Sequence, residues 1–206
     1  MTLMKFCGLK RPEDIQAANE LKPDFIGFVF VAGKKRYLAP KEAARLKKQL
    51  DGSIKAVGVF IDEKPELIAQ LLEEGVIDLA QLHGSEDEAY IQGLKKLTAK
   101  PIIKAFKIHK AEDLLPISSC SADYVLLDSG TGTGKVFDWQ LIKRLTRPYF
   151  LAGGLSIDNI EKALSELQPF AVDVSSGIET NGSKDKEKMA AFAALVRDKE
   201  RKSNHD

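Results

Sequence analysis

Residues 55–84 read "KAVGVFIDEKPELIAQLLEEGVIDLAQLHG" and hold one complete strand, helix and strand. The first six residues, "KAVGVF", are an apolar β-rich run, and "LAQLHG" at 79–84 is another. Between them Pro65 sits where a helix tolerates proline, in the first turn, because its missing N–H would be unpaired there anyway. Leu67, Ile68, Leu71 and Leu72 form one apolar face at helical spacing, and Gly75 supplies the stop. Neither strand alternates strictly between apolar and polar residues, as expected when both faces of a parallel sheet are covered. The unit is therefore a right-handed crossover between parallel strands.

The same pattern extends in both directions at intervals of roughly two dozen residues. The other strands are "MKFCG" (4–8), "DFIGFVF" (24–30), "IIKAF" (102–106), "YVLLDS" (124–129), "YFLAGG" (149–154) and "AVDVSS" (171–176). Pro12 and Pro40 open helices as Pro65 does, Ser85 with Glu88 has the spacing of a capping box, and Asp138 and Ser156 stand at N-cap positions. Ile157, Ile160, Leu164 and Leu167 make a further apolar helix face. In the fifth unit Pro116 interrupts "AEDLLPISS" and leaves room for about two turns. An open doubly wound sheet and a closed barrel both accept alternating strands and helices, and a count of eight favours a single-domain (βα)8 TIM barrel over residues 1–206. The charged tail "RDKERKSNHD" is expected to fray.

Composition narrows the function. With 31 Lys plus Arg against 30 Asp plus Glu, no global field favours nucleic acid or a membrane surface. The longest apolar run, "FIGFVFVAG", is about half of a bilayer crossing, and no signal-peptide pattern opens the chain. Cys7 and Cys120, far apart and without neighbours at ligand spacing, form neither a disulfide framework nor a zinc site. The expected setting is a reducing cytoplasm, with a small phosphorylated molecule as partner and the chain a monomer or homodimer.

In a parallel barrel the carboxyl ends of all strands meet at the face where chemistry is done. Of the residues ending the strands, only Cys7, His83 and Asp128 exchange protons readily. Gly153 and Gly154 after the seventh strand, with Ser175, Ser176 and Gly177 after the eighth, offer a close backbone approach and N–H donors to a phosphate. Arg36 has a planar fork suited to a carboxylate, whereas Lys34 and Lys35 read as a solvated surface. Asp173 lies inside an apolar strand and needs a partner, either Arg36 or a substrate hydroxyl. His83 reads as a packed histidine bonded locally, and Cys120 as a buried residue on the opposite face. The glycine-rich stretch 129–139 lacks Walker A spacing and reads as a lid hinged at Gly130, Gly132 and Gly134.

The segments "KFCGL", "GFVF" with "KRYLAP", "VGVF", "QLHG", "LLDS" with "GTGKVFDW", "LAGGLSIDNI" and "VDVSSGIE" together resemble the phosphoribosylanthranilate isomerases, barrel enzymes of tryptophan biosynthesis. The likeness runs from residue 4 to about residue 190 in order, with no departure at the positions that carry chemistry. It implies an Amadori rearrangement of N-(5-phosphoribosyl)anthranilate, with Cys7 as general base, Asp128 as general acid, Arg36 on the anthranilate carboxylate and the glycine-serine loops on the phosphate. Such a reaction requires neither cofactor nor metal. It also asks that burial and substrate charge raise the Asp128 carboxyl, and that nearby N–H groups favour the Cys7 thiolate. Two readings compete: a histidine-pathway type of sugar-phosphate isomerase, which pairs two aspartates, and a non-catalytic phosphate-binding barrel, which needs neither Cys7 nor Asp128.

Overall fold

The structure is a computed structural model that describes residues 2–128, 138–143 and 145–203. Eight parallel strands close into a barrel in chain order: β1 (Leu3–Cys7), β2 (Phe25–Val29), β3 (Lys55–Phe60), β4 (Leu79–Leu82), β5 (Ile102–Lys107), β6 (Tyr124–Asp128), β7 (Tyr149–Leu151) and β8 (Ala171–Val174). Closure is made by β1 against β8, where Lys5 stands opposite Asp173. Helices α1 (Pro12–Leu21), α2 (Pro40–Lys47), α3 (Pro65–Glu73), α4 (Glu88–Leu97), α5 (Ile160–Glu166) and α6 (Lys186–Ser203) surround it.

Two crossovers depart from the expected strand and helix. After β5 the chain forms a 3-10 segment, Ala111–Ile117, with Pro116 inside it, and a second such segment, Trp139–Ile142, follows β6. Proline cannot donate to the i−4 carbonyl and its ring clashes there, so an α-helix across Pro116 is blocked. Asp138 caps the second segment as expected, accepting from the Gln140 N–H at 2.9 Å. Ser85 does not cap α4; its hydroxyl bonds Asp62, and Asp87 takes the cap by accepting from the Tyr90 N–H. Gly75, at φ 69°, closes α3. The lid reading of 129–137 lies outside the described residues, and α6 continues the backbone helix to Ser203.

Period-two alternation sorts the strand side chains between two cores. Outward residues such as Met4, Phe6, Ile26, Phe28 and Val172 pack under the helices. Inward residues fill the barrel in layers: Phe25, Val57, Leu79, Ile103, Leu126, Phe150 and Ala171 form an apolar plug. Phe150 lies 5.5 Å from both Phe25 and Phe170. Above the plug comes a polar layer of Lys5, Gln81 and Asp173, all buried.

A side-chain clasp recurs at the amino-terminal face. Asp24, Asp78 and Asp123 each stand immediately before an even-numbered strand. Each carboxylate accepts a backbone N–H from the preceding odd-numbered strand: Met4 at 2.8 Å, Ala56 at 2.7 Å and Ile102 at 2.9 Å. Arg147 anchors the same face, donating to the carbonyls of Ile117 and Cys120. Cys120 is only half-buried there, its thiol packed against the outer core.

Candidate active site

A cavity of about 380 Å3 opens at the carboxyl ends of the strands, and Cys7, Asp128, Arg36, Asp173, Gly153 and Ser175 all contribute to its wall. Parity explains the convergence: Cys7, Asp128, Asp173 and Ser175 occupy inward positions on their own strands or just past them. Lys34 and Lys35, read from sequence as solvated surface, are exposed and also stand on this wall.

Cys7 ends β1 beside Gly27, its ladder partner on β2. A Cβ on Gly27 would sit 2.7 Å from the Cys7 Sγ, so the thiol occupies space that only glycine leaves. Gly8, at φ 81°, turns the chain away from the cavity, and a Cβ there would meet the Arg36 Cδ at 2.4 Å. The expected easing of thiolate formation is not found. Burial pushes the Cys7 thiol up, and the opposing influence of the Lys5 and Lys184 ammonium groups does not overcome it.

Asp128 ends β6 and meets His83, whose Nε2 is 3.1 Å from its Oδ2. The other ring nitrogen, Nδ1, is 2.9 Å from Gln81 Nε2, so the expected local bond is present together with one that sequence alone did not show. The Gln81 Oε1 accepts from Lys5 Nζ at 2.9 Å, and Lys5 in turn pairs with Asp173 at 2.7 Å. A polar chain thus crosses the barrel from β8 through β1 and β4 to β6. Burial disfavours the Lys5 charge, but Asp173 and the Cys7 thiol outweigh it and raise the ammonium's pKa. Asp173 is thereby paired with Lys5 and not with Arg36. Its second oxygen, Oδ1, is buried and unpartnered among the described residues.

Arg36 is held by Glu179 in a bidentate fork, Nε to Oε1 at 2.7 Å and Nη2 to Oε2 at 3.0 Å. Lys184 donates to the same Oε1 at 2.7 Å and to the Ser175 carbonyl at 2.8 Å. Burial alone would push Glu179 up, but the hydrogen bonds from Arg36 and Lys184 outweigh it and hold the carboxyl at about 2. Glu179 and Lys184 belong to a small hairpin, β9 (Glu179–Thr180) and β10 (Ser183–Lys184), turned by Asn181 and Gly182 at φ 50° and 75°. Asn-Gly with both residues at positive φ is the preferred two-residue hairpin turn, a signal present in the sequence but flanked by polar rather than alternating apolar residues.

The glycine-serine loops lie side by side on the cavity wall. Gly153 and Gly154 line the cavity with φ of 83° and 72°, a left-handed backbone that glycine adopts freely. Gly177, also expected at the phosphate, joins the two loops: it bridges Ser156, and a Cβ on it would fall 2.0 Å from the Leu155 carbonyl oxygen. Asn159 ties the first loop by donating to the Gly154 carbonyl and accepting from the Ser156 N–H. Ser175 donates to the Cys7 carbonyl at 3.1 Å, so this loop also touches the end of β1.

Sequence reasoning missed Lys5, Gln81, Gly27 and Glu179. Lys5 carried a signal, a charge within an apolar strand two residues before Cys7 and hence on the same face. Glu179 carried none that separates it from an ordinary surface acid.

Residues 4–194 match the family model described as "N-(5'phosphoribosyl)anthranilate (PRA) isomerase". The N-(5'-phosphoribosyl)anthranilate isomerase of Endomicrobium trichonymphae is 45% identical over 202 residues, covering 96% of this chain and 99% of that protein. The crystal structure of the phosphoribosyl anthranilate isomerase from Thermotoga maritima superimposes with a TM-score of 0.89 at 33% identity, over 96% of this chain and 100% of that one. A phosphoribosyl anthranilate isomerase structure in complex with reduced 1-(o-carboxyphenylamino)-1-deoxyribulose 5-phosphate gives a TM-score of 0.86 at 32% identity, with the same coverage. With the barrel closed and Cys7 and Asp128 facing one cavity, these likenesses place the chain in the N-(5'-phosphoribosyl)anthranilate isomerase family.

Proposed function

We propose that this chain converts N-(5-phosphoribosyl)anthranilate into 1-(2-carboxyphenylamino)-1-deoxyribulose 5-phosphate, with Cys7 as general base and Asp128 as general acid. The observation that carries this reading is that both groups, from β1 and β6, face one cavity whose rim holds a cationic fork and two backbone-rich loops. Asp128 gives a proton to the ribose ring oxygen as the bond to C1 opens, leaving a protonated imine. The Cys7 thiolate then removes the proton from C2, becoming the thiol, and the electron pair moves toward the imine to form an enolamine. Transfer of a proton to C1 and loss of the O2 proton complete the ketone, so no electrons leave the substrate.

The remaining groups orient it. The N–H groups of Gly153, Gly154, Ser175 and Ser176 take the phosphate, turning remote binding energy into orientation at the reacting carbons. Arg36, held across the opening by Glu179, presents its remaining N–H donors to the anthranilate carboxylate. The Asp173 carboxylate, which lines the cavity, accepts a sugar hydroxyl. Lys34 and Lys35 add positive charge for a ligand that carries both a phosphate and a carboxylate. We place the chain in the cytoplasm; among the described residues no helix is long and apolar enough to cross a membrane.

The test is the loss of anthranilate-type fluorescence on adding freshly made phosphoribosylanthranilate, with Cys7→Ala and Asp128→Asn measured beside the unaltered protein. A general acid or base contributes about 100 to 10,000-fold, and losses of that order are expected from each. An Asp128→Asn protein as active as the unaltered chain would remove the acid, and a fully active Cys7→Ala would remove the base.

A further inference from the structure

We propose that Lys5 and Gln81 are positioning residues that fix His83 as the neutral tautomer with its proton on Nε2, aimed at Asp128. The inference rests on Asp128 being the acid. Its geometry is a matter of donors and acceptors. An ammonium donates only, so the Gln81 atom 2.9 Å from Lys5 Nζ is the amide oxygen. The other end of that amide is then an NH2 group, 2.9 Å from His83 Nδ1, and this contact bonds only if Nδ1 carries a lone pair. The ring's one proton is left on Nε2, 3.1 Å from Asp128 Oδ2.

Each alternative is blocked by the next link. A proton on Nδ1 would set two donors face to face. Turning the Gln81 amide to relieve them would bring its NH2 against Lys5, which is fully buried and pinned to Asp173 at 2.7 Å. Among the described residues, the charged and titratable groups that share the cavity wall with His83 are Asp128, Cys7, Asp173, Lys34, Lys35 and Arg36, with Lys5 one link behind Gln81; Glu86 and Lys104 bond the backbone of the adjoining Gly84, Asp62 bonds the N–H of Ser85, and β3 presents apolar Val59. The chemical benefit follows from charge. An imidazolium against Asp128 would favour its carboxylate by about 1–3 pK units, and an acid that has lost its proton cannot deliver one. A neutral N–H orients the carboxyl without that penalty.

The experiment is a long-range proton–nitrogen NMR spectrum of 15N-histidine-labelled protein at neutral pH, without substrate, paired with kcat/KM. The unaltered chain is expected to show a pyridine-like Nδ1 and a pyrrole-like Nε2 at His83. In Gln81→Glu the new carboxylate accepts from Nδ1–H, so both nitrogens become protonated, and kcat/KM falls by about tenfold or more, the equivalent of one pK unit at the acid. Lys5→Met combined with Asp173→Asn, which removes the pinned charge and its partner together, should release the amide and give a mixture of tautomers. A pyrrole-like Nδ1 in the unaltered chain overturns the proposal, as does an unchanged His83 spectrum in Gln81→Glu. The expected spectra with kcat/KM within about twofold would also overturn it, by separating the tautomer from the acid. Full activity of Asp128→Asn would instead overturn the acid assignment and leave the tautomer result standing.

Discussion

Gly27→Ala should impair the barrel's chemistry without replacing either reacting side chain. The added Cβ would stand 2.7 Å from the Cys7 Sγ and 3.1 Å from its Cα, where ordinary contact begins at 3.4 Å. The sulfur must therefore retreat by at least ~0.7 Å, or β1 and β2 must part, in a core that tolerates little added volume. Overpacking of this kind costs about 1–3 kcal/mol of stability. A misplacement near 1 Å at the reacting atoms is worth about 100-fold in rate, so kcat/KM is expected to fall by about 10 to 100-fold. Urea denaturation and the fluorescence assay read the two effects separately. Adding Cys7→Ala to Gly27→Ala removes the atom that is struck, so the stability loss from Gly27→Ala should shrink in that background, a coupling that a double-mutant cycle measures. Equal losses in both backgrounds, or turnover by Gly27→Ala within about twofold of the unaltered chain, would refute the steric argument.

Other consequences can be checked alongside. Glu179 ordinarily titrates near 4.5 and is held at about 2 when folded, so its pairing with Arg36 and Lys184 stabilises fully above about pH 4.5 and is lost as pH falls toward 2. Glu179→Gln should accordingly flatten the acid side of the stability curve measured by urea denaturation; an unchanged acid limb counts against the pairing. Gly177→Ala must push apart the loops that meet at the Leu155 carbonyl, and weaker competition by inorganic phosphate is the expected result. Asp173→Ala leaves the Lys5 ammonium buried and unpaired, which should cost about 3–5 kcal/mol in chemical denaturation, whereas Lys5→Met with Asp173→Asn should recover much of that.

The eight strands were legible because a parallel barrel buries both faces of every strand, so "KAVGVF" and "YVLLD" stand out as apolar runs. The carboxyl-terminal position of Cys7 and Asp128 followed from the same pattern. What sequence could not show was depth and register. Asp173 plainly required a partner, but pairing it with Lys5 depends on the closure of β1 against β8, a contact between residues 168 apart in the chain. Arg36 was recognisable as a fork, yet its orientation comes from Glu179 in a hairpin whose strands are two residues each. His83 looked like a locally bonded histidine, and it is one. Its second bond, to Asp128, spans two strands of the barrel and has no local signature.

The aspartates that stand before β2, β4 and β6 also divide the barrel in a way its regular ladder does not. Each carboxylate binds its strand to the preceding one, so β1–β2, β3–β4 and β5–β6 behave as stapled doublets at their amino-terminal ends. Among the described residues, the β2–β3 and β4–β5 junctions carry backbone bonds at that end, such as Lys55 N–H to the Asp24 carbonyl and Ala80 N–H to the Pro101 carbonyl, and no such carboxylate. Among the described residues, every second junction from β1 to β7 is therefore a seam. New termini or inserted segments should be best tolerated in the loops that enter odd-numbered strands, and fragments cut there should reassemble more readily than fragments cut through a doublet.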